Sequence, residues 1–365
     1  MKTPFDKRAL LEWYGESRRD LPWRRTRDPY AIWISETMLQ QTRVETVLPY
    51  YARFLRELPD VVSLAEATEE RVLALWSGLG YYRRARMLHA AARTVAEEHG
   101  GRLPEDAAGL RRLEGIGAYT AGAIASIAFG KRAALVDGNV ARVLARLFAI
   151  EEDVKSGTGA GRVWELAEQL VAEVDGPAGD WNQALMELGA TVCTPREPRC
   201  DACPISEGCE GRALGIAGEL PRTLPKRRPL EVKRVALVIA SASHVVLARR
   251  RRETLFGGLW EPPFAHGDDP GPLVAALGVT GTLRPGGRVV HVLSHRRMEV
   301  DVCVAPLGRR RRWALPGEDY DAIEVARVEE LSSRPHSTLA RKVLVAAGVV
   351  SLAKAPGVGL RSHSK

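Results

Sequence analysis

Gly115 and Gly117, separated by one isoleucine, constrain this chain more than any other feature. Two glycines that close cannot sit inside a helix, where each costs about 1 kcal/mol relative to alanine. They are followed by a run of small residues, AYTAGAIASIAFG, and then by LVDGNVARVL. Residues 113–144 are therefore expected to form a tight hairpin, a small-residue helix, a second turn and the start of another helix. A bare-backbone hairpin in front of a helix start aims its N–H groups at an anion. Gly115 and Gly117 are thus candidate contacts to a phosphate strand. A carboxylate, Asp137, stands beside Gly138 at the start of the following helix.

The 365 residues carry a formal charge of +8, which favours a polyanionic partner through counterion release. The length suits two domains. No window holds the roughly eighteen consecutive apolar residues of a membrane span, so no membrane partner is expected. The start, MKTPFDKRALLEWY, lacks an apolar signal core, so a cytoplasmic location is expected. Four of the five cysteines crowd into one stretch, Cys193, Cys200, Cys203 and Cys209, which reads as a metal site, not a disulfide framework. Four thiolates can hold zinc or a four-iron cluster. One close pair flanked by two singles leans to iron–sulfur, in a structural role. Cys303 stands apart in an expected strand and reads as a core residue.

Along the chain, a short helix is expected over 5–16, then one capped by Asp28 with Pro29 at its first position. In that second helix Glu36 sits among Ile32, Ile34, Met38 and Leu39, either turned to solvent or held in a pocket. Helices follow near 43–56, 68–76 and 82–98, with a capping box at Ser63–Glu66 and a glycine stop at Gly100–Gly101. Tyr81 and Tyr82 lie between a glycine loop and arginines, a setting suited to wedging into or stacking on bases; for Tyr82, packing between helices is the expected fate. Helices over 158–175 and 180–192 complete an all-α domain, residues 1–210. Residues 211–232 read as a proline-containing basic linker. Strands then follow in VKRVALVIAS, HVVLARRR, GRVVHVLSH and MEVDVCVAPL, with a closing helix over 337–347, making an α+β domain over 233–350 and a flexible tail over 351–365. The arginine runs 249–252 and 309–312 are either phosphate contacts or solvated turns, and at least one is expected to be a solvated turn.

LEGIG followed by a helix and VDGNVARVL resembles the helix-hairpin-helix signature of the DNA glycosylase superfamily that includes endonuclease III. The six-two-five cysteine spacing is similar to that family's [4Fe-4S] loop. LPWR, SETMLQQT, GLGYYRRAR and WNQALMELG narrow the resemblance to adenine DNA glycosylases of the MutY type. LARRRRETLFGGLWEPP looks like the start of a Nudix domain, but GDDPGPLVAALGV lacks the glutamate-rich catalytic box, so a non-hydrolytic recognition domain is implied.

The resemblance implies a monomeric base-excision enzyme that flips adenine out of duplex DNA and hydrolyses its N-glycosidic bond. Such a cleavage follows the two-carboxylate logic of glycoside hydrolysis. Glu36 would protonate the leaving base, which requires burial and a raised pKa. Asp137 would stay ionised and stabilise the cationic sugar, with Asn139 helping to hold water. Tyr119 occupies the hairpin position where bifunctional relatives carry a Schiff-base lysine, which implies a monofunctional enzyme. Trp23, Arg24, Leu39 and Gln183 would line the adenine pocket, and Gln41 and Tyr81 would wedge into the stack. Leu293, Ser294 and His295 stand where the family reads 8-oxoguanine, or guanine, opposite the adenine; leucine replaces the family's phenylalanine and so removes a stacking contact. Two readings compete: a thymine or oxidised-pyrimidine glycosylase/lyase on the same fold, and a non-catalytic iron–sulfur DNA-binding protein.

Overall fold

The structure, a computed structural model, describes residues 5–222, 228–308 and 312–351. The chain forms two compact units that do not follow sequence order. One comprises residues 1–41, 58–65 and 90–225; the other comprises 42–57, 66–89 and 226–365. The expected all-α stretch is all-α, but its helices near 44–57 and 69–76 belong to the second unit.

The helices in chain order are α1 (Lys7–Ser17), α2 (Pro29–Leu39), α3 (Val44–Glu57), α4 (Val61–Glu66), α5 (Glu69–Trp76), α6 (Arg83–Glu98), α7 (Ala107–Leu110) and α8 (Ala118–Ile127). They continue with α9 (Gly138–Leu147), α10 (Gly157–Ala172), α11 (Ala178–Thr191) and α12 (Glu210–Ala213). A 3-10 turn, Pro22–Arg24, precedes α2. The capping box expected at Ser63 lies three residues earlier. Asp60 Oδ1 accepts from the Ser63 N–H at 2.7 Å and Ser63 Oγ accepts from the Asp60 N–H at 3.1 Å, so the reciprocal pair opens α4 and Ser63 lies inside it.

In the first unit α11 runs through the core and packs on α1, α8 and α9. Small residues set how closely these helices approach. A Cβ at Gly122 would stand 1.8 Å from the Ala134 carbonyl oxygen, and one at Gly189 would stand 2.7 Å from Asn139 Cβ. Glycine at these two places draws the segment carrying Asp137 and Asn139 against the helix core. The described parts of the expected linker 211–232 join the elements on either side of it. Gly211 is buried against the Arg146 backbone, Leu220 is buried, and the first strand begins at Leu230; residues 223–227 lie outside the described ones.

In the second unit the sheet strands are β1 (Leu230–Ala240), β2 (His244–Arg250), β3 (Trp260–Glu261), β4 (Phe264–His266), β5 (Arg284–Val292), β6 (Arg296–Pro306) and β7 (Tyr320–Arg327). Their main order is β3-β2-β1-β6-β5, with β4 pairing β1 and β7 pairing β2. Among the described residues, β1 and β6 pair in parallel and the other pairs are antiparallel. The continuous apolar run of β1 follows from burial on both faces. Ala236 and Val238 enter the cluster under α14 (Thr338–Ala346), while Val235, Leu237 and Ile239 enter the cluster under α13 (Gly271–Leu277). Cys303 packs at the edge of the second cluster, partly buried. The first arginine run divides. Arg249 and Arg250 lie on β2, and Arg250 is 3% exposed, so it is neither a phosphate contact nor a turn. It pairs with Glu261 at 2.5 Å and Asp319 at 2.7 Å. Arg251 and Arg252 are exposed; 309–311 lie outside the described residues.

Candidate active site

Asp28 opens α2, its carboxylate accepting from the Tyr30 and Ala31 N–H groups at 3.0 and 3.4 Å, with Pro29 supplying a preset first turn. Residues 30–38 of that helix are all buried. Of the two dispositions open to Glu36, the pocket prevails: it is 3% exposed.

The partner of Glu36 comes from the hairpin. α7 ends at Leu110, Gly115 takes a left-handed φ of +78°, and α8 starts at Ala118. Gly115 and Gly117 are both exposed, leaving the hairpin backbone accessible. Gly117 is extended and has nothing near its Cβ position, so only Gly115 needs to be glycine for its conformation. In the first turn of α8, Tyr119 Oη donates to Glu36 Oε2. Burial pushes the Glu36 carboxyl up, the Tyr119 bond pulls it down, Asp137 pushes it up again and Arg24 pulls it down; the result is about 7. The Tyr119 phenol is itself pushed well up by burial and by the two carboxylates, so it remains a donor.

Asp137 is the N-cap of α9. Its Oδ1 accepts from the Asn139 N–H at 3.0 Å and the Val140 N–H at 2.7 Å, and its Oδ2 accepts from Asn139 Nδ2 at 2.9 Å. Burial raises its pKa, but these bonds and nearby Arg142 oppose the shift. Three donors and a helix N-terminus favour the charged form. Two carboxyl groups thus lie close enough to interact in different environments, Glu36 buried with Tyr119 as its donor and Asp137 held by three donors at a helix start. Arg142 extends this arrangement, donating to Asn139 Oδ1 at 2.9 Å, to the Gly189 carbonyl at 2.7 Å and to the Cys193 carbonyl at 2.8 Å.

The remaining expected site residues are distributed as follows. Trp23 is buried in the 3-10 turn, beside Arg24. Leu39 lies three residues beyond Glu36, on the same side of α2. Gln183 is on α11, one turn before Glu187. Sequence reasoning missed Glu187. It is fully buried and accepts from the Arg19 N–H at 3.0 Å, from Arg19 Nε and Nη2 at 2.8 Å, and from Arg24 Nη2 at 2.6 Å. Arg24 is therefore held by a carboxylate as well as standing near Glu36. No local signal marked it, because in ALMELG it reads as an ordinary charge on a helix surface. Burial alone would raise the Glu187 carboxyl; its two arginines outweigh that and hold it at about 2. Because that pKa is depressed, the stabilisation exists above the ordinary carboxylate pKa and is lost as pH falls towards 2. Glu187→Gln is expected to cost about 3–5 kcal/mol, because it strands two guanidinium groups, and denaturant unfolding measures it.

Gln41 and Tyr81 share an unusual backbone. Both adopt left-handed φ, +56° and +49°, and both are exposed. In the second unit, Tyr81 Oη and Ser294 Oγ are 2.8 Å apart. Ser294 and His295 are exposed in the turn between β5 and β6, and Leu293 is partly buried against the α14-side core. Tyr82 is buried, its hydroxyl donating to the His336 carbonyl at 2.8 Å.

Cys193, Cys200, Cys203 and Cys209 line one cavity with Arg146 and Arg212. Arg146 Nη1 stands 3.3 Å from Cys193 Sγ. Burial pushes the Cys203 thiol to about 11, and the other three cysteines add to the rise. Four partly buried sulfurs facing one space with cationic neighbours suit an anionic metal–sulfur group. Among the described residues, no three potential ligands are already drawn together around a single ion.

Residues 34–169 match the family described as HhH-GPD superfamily base excision DNA repair protein, and residues 234–346 match the NUDIX domain family. Residues 34–169 thus carry the fold of the helix-hairpin-helix superfamily and residues 234–346 a Nudix-like one. The adenine DNA glycosylase of Buchnera aphidicola (subsp. Baizongia pistaciae) is 37% identical over 72% of this chain and 74% of its own length. The human adenine DNA glycosylase is 38% identical over 80% of this chain. The chain belongs to the adenine DNA glycosylase family. It spans 65% of the human relative's length, less than two thirds. A solved thermostable thymine-DNA glycosylase is 34% identical, covering 57% of this chain and 95% of its own, with a TM-score of 0.52. Among the described residues, no helix is long and apolar enough to cross a membrane.

Proposed function

We propose that this chain removes adenine mispaired with 8-oxoguanine, or more slowly with guanine, from duplex DNA by hydrolysing the N-glycosidic bond. The observation that carries the reading is Glu36, a buried carboxyl bonded to Tyr119 and pushed up to about 7, with a second carboxyl, Asp137, near it at the start of α9. After the adenine is flipped from the stack, Glu36 protonates it and the bond to the sugar breaks. Asp137 stabilises the oxocarbenium-like sugar, and Asn139 helps to hold the attacking water. Gln183 suits the adenine edge, because an amide can donate and accept at once. Gln41 and Tyr81 enter the stack around the opposite base, which Ser294 and His295 read. Tyr119 supplies no amine, so sodium borohydride should trap no abundant covalent DNA adduct. Cys193, Cys200, Cys203 and Cys209 hold a [4Fe-4S] cluster, which supplies rigidity to the loop; iron and sulfide analysis of the purified protein tests this. The protein acts as a cytoplasmic monomer.

The test is release of adenine from an A:8-oxoguanine duplex, revealed as alkali-labile strand breaks. The likeness to a thymine-DNA glycosylase supports a second reading. A panel with adenine, thymine or an oxidised pyrimidine in the target strand separates them: thymine release without adenine release overturns the proposal.

The pH dependence follows from the acid. Adenine release needs Glu36 protonated, so its rate falls as pH rises through about 7. The Tyr119 bond lowers that pKa, so Tyr119→Phe should move the alkaline limb of the single-turnover profile to higher pH.

A further inference from the structure

Arg84 is the first-turn arginine of α6 and lies wholly within the second unit. Its guanidinium carbon lies over two rings, 5.5 Å from the Trp76 centroid and 5.4 Å from the Tyr81 centroid. Its Nη2 donates to the Gly80 carbonyl at 3.2 Å and to Thr42 Oγ1 at 3.1 Å. Trp76 Nε1 donates to the same Gly80 carbonyl at 3.2 Å. These acceptors hold the two unusual backbones: Gly80 immediately precedes Tyr81, and Thr42 immediately follows Gln41. Both flanked residues hold left-handed φ, which a side-chain-bearing residue keeps only where its surroundings impose it. A flat guanidinium can stack and bond in its plane at once, which an ammonium cannot.

We propose that Arg84 is a positioning residue that presets both wedge residues, Gln41 and Tyr81, for entry into the base stack. The proposal rests on the DNA-wedge part of the function proposed above. Tyr81, so held, also meets Ser294 of the β5–β6 turn at 2.8 Å. Arg84 thereby sets Tyr81 against the β5–β6 turn, and its proposed role is to position the wedge, not to touch phosphate or adenine.

The experiment uses the full chain and a duplex carrying 2-aminopurine next to 8-oxoguanine, opposite adenine. Wild type should raise the 2-aminopurine fluorescence as it unstacks the site. Arg84→Gln should bind the duplex with an unchanged salt slope, lose that rise, and release adenine about 10²-fold more slowly in single turnover. Arg84→Lys should not rescue the fluorescence, because it restores charge without the plane. A retained rise in Arg84→Gln, a rescue by lysine, or a salt slope smaller by about one, the mark of a lost phosphate contact, would each overturn the proposal. Thr42→Val deletes one of the bonds and guards against misfolding of the arginine variants; it should reduce the rise in part, and a full wild-type response from it counts against the proposal. Wild type that raises the fluorescence yet releases no adenine overturns the enzymatic reading alone. No rise from wild type overturns the wedge.

Discussion

Glu36→Gln should bind A:8-oxoguanine DNA as the wild type does and release adenine at least about 10²–10⁴-fold more slowly, the range general acid catalysis supplies. The amide keeps the size of the side chain and can still pair with Tyr119, but it has no acidic proton for the leaving base. Stability should not fall with activity. A carboxyl whose folded pKa is raised contributes stability at low pH that is lost as pH rises through about 7, where its buried charge becomes a cost. At pH 8 the variant should therefore unfold at the wild-type temperature or above it. Binding by gel shift, single-turnover release and thermal melting measure the three quantities. A variant with full adenine release would remove Glu36 from the reaction as its acid, whereas a wild type that binds the duplex and releases nothing would leave the non-catalytic DNA-binding reading standing.

Asp137→Asn should lose about 10²–10³-fold in release, the scale of removing one preorganised charge-stabilising group. Asparagine caps helices about as well as aspartate, so α9 should keep its start and the melting temperature should move little. Asp137→Ala removes the cap as well and should cost about a further 1 kcal/mol of stability. Comparing the two separates the electrostatic role of Asp137 from its role in holding α9. Equal rates for wild type and Asp137→Asn would remove Asp137 from the reaction.

Much of this site was legible along the chain because its signals are local. The Asp28–Pro29 start, the Gly115 hairpin and the cysteine spacing each depend on neighbours a few residues away. Glu36 was legible only as an anomaly, a carboxylate in an apolar helix. Packing decides whether such a group meets water or protein. Glu187 was invisible for the opposite reason: in ALMELG it looks like an ordinary helical surface charge, and its meaning comes from Arg19 and Arg24 more than 160 residues away in the chain. Arg250 hid in a run of four arginines, and only Glu261 and Asp319 on other segments turn it into a core residue. β7 escaped because only Tyr320 and Ala326 along it are buried, so its apolar pattern is weak.

The sequence by itself determined the helical first half, the strands and closing helix that follow, the family, and the candidates for the chemistry. Those properties rest on residue type and short spacing. Only the tertiary structure decided how the Leu113–Leu144 hairpin region serves the site. It brings Tyr119 against Glu36 from another helix, places Asp137 close enough to raise that acid, and ties Asn139 through Arg142 to the cysteine loop. It also puts Gln41 and Tyr81 in left-handed backbone, which no local pattern predicts. A pKa near neutrality depends on distances, desolvation and bonds among groups remote in sequence, and folding alone creates them.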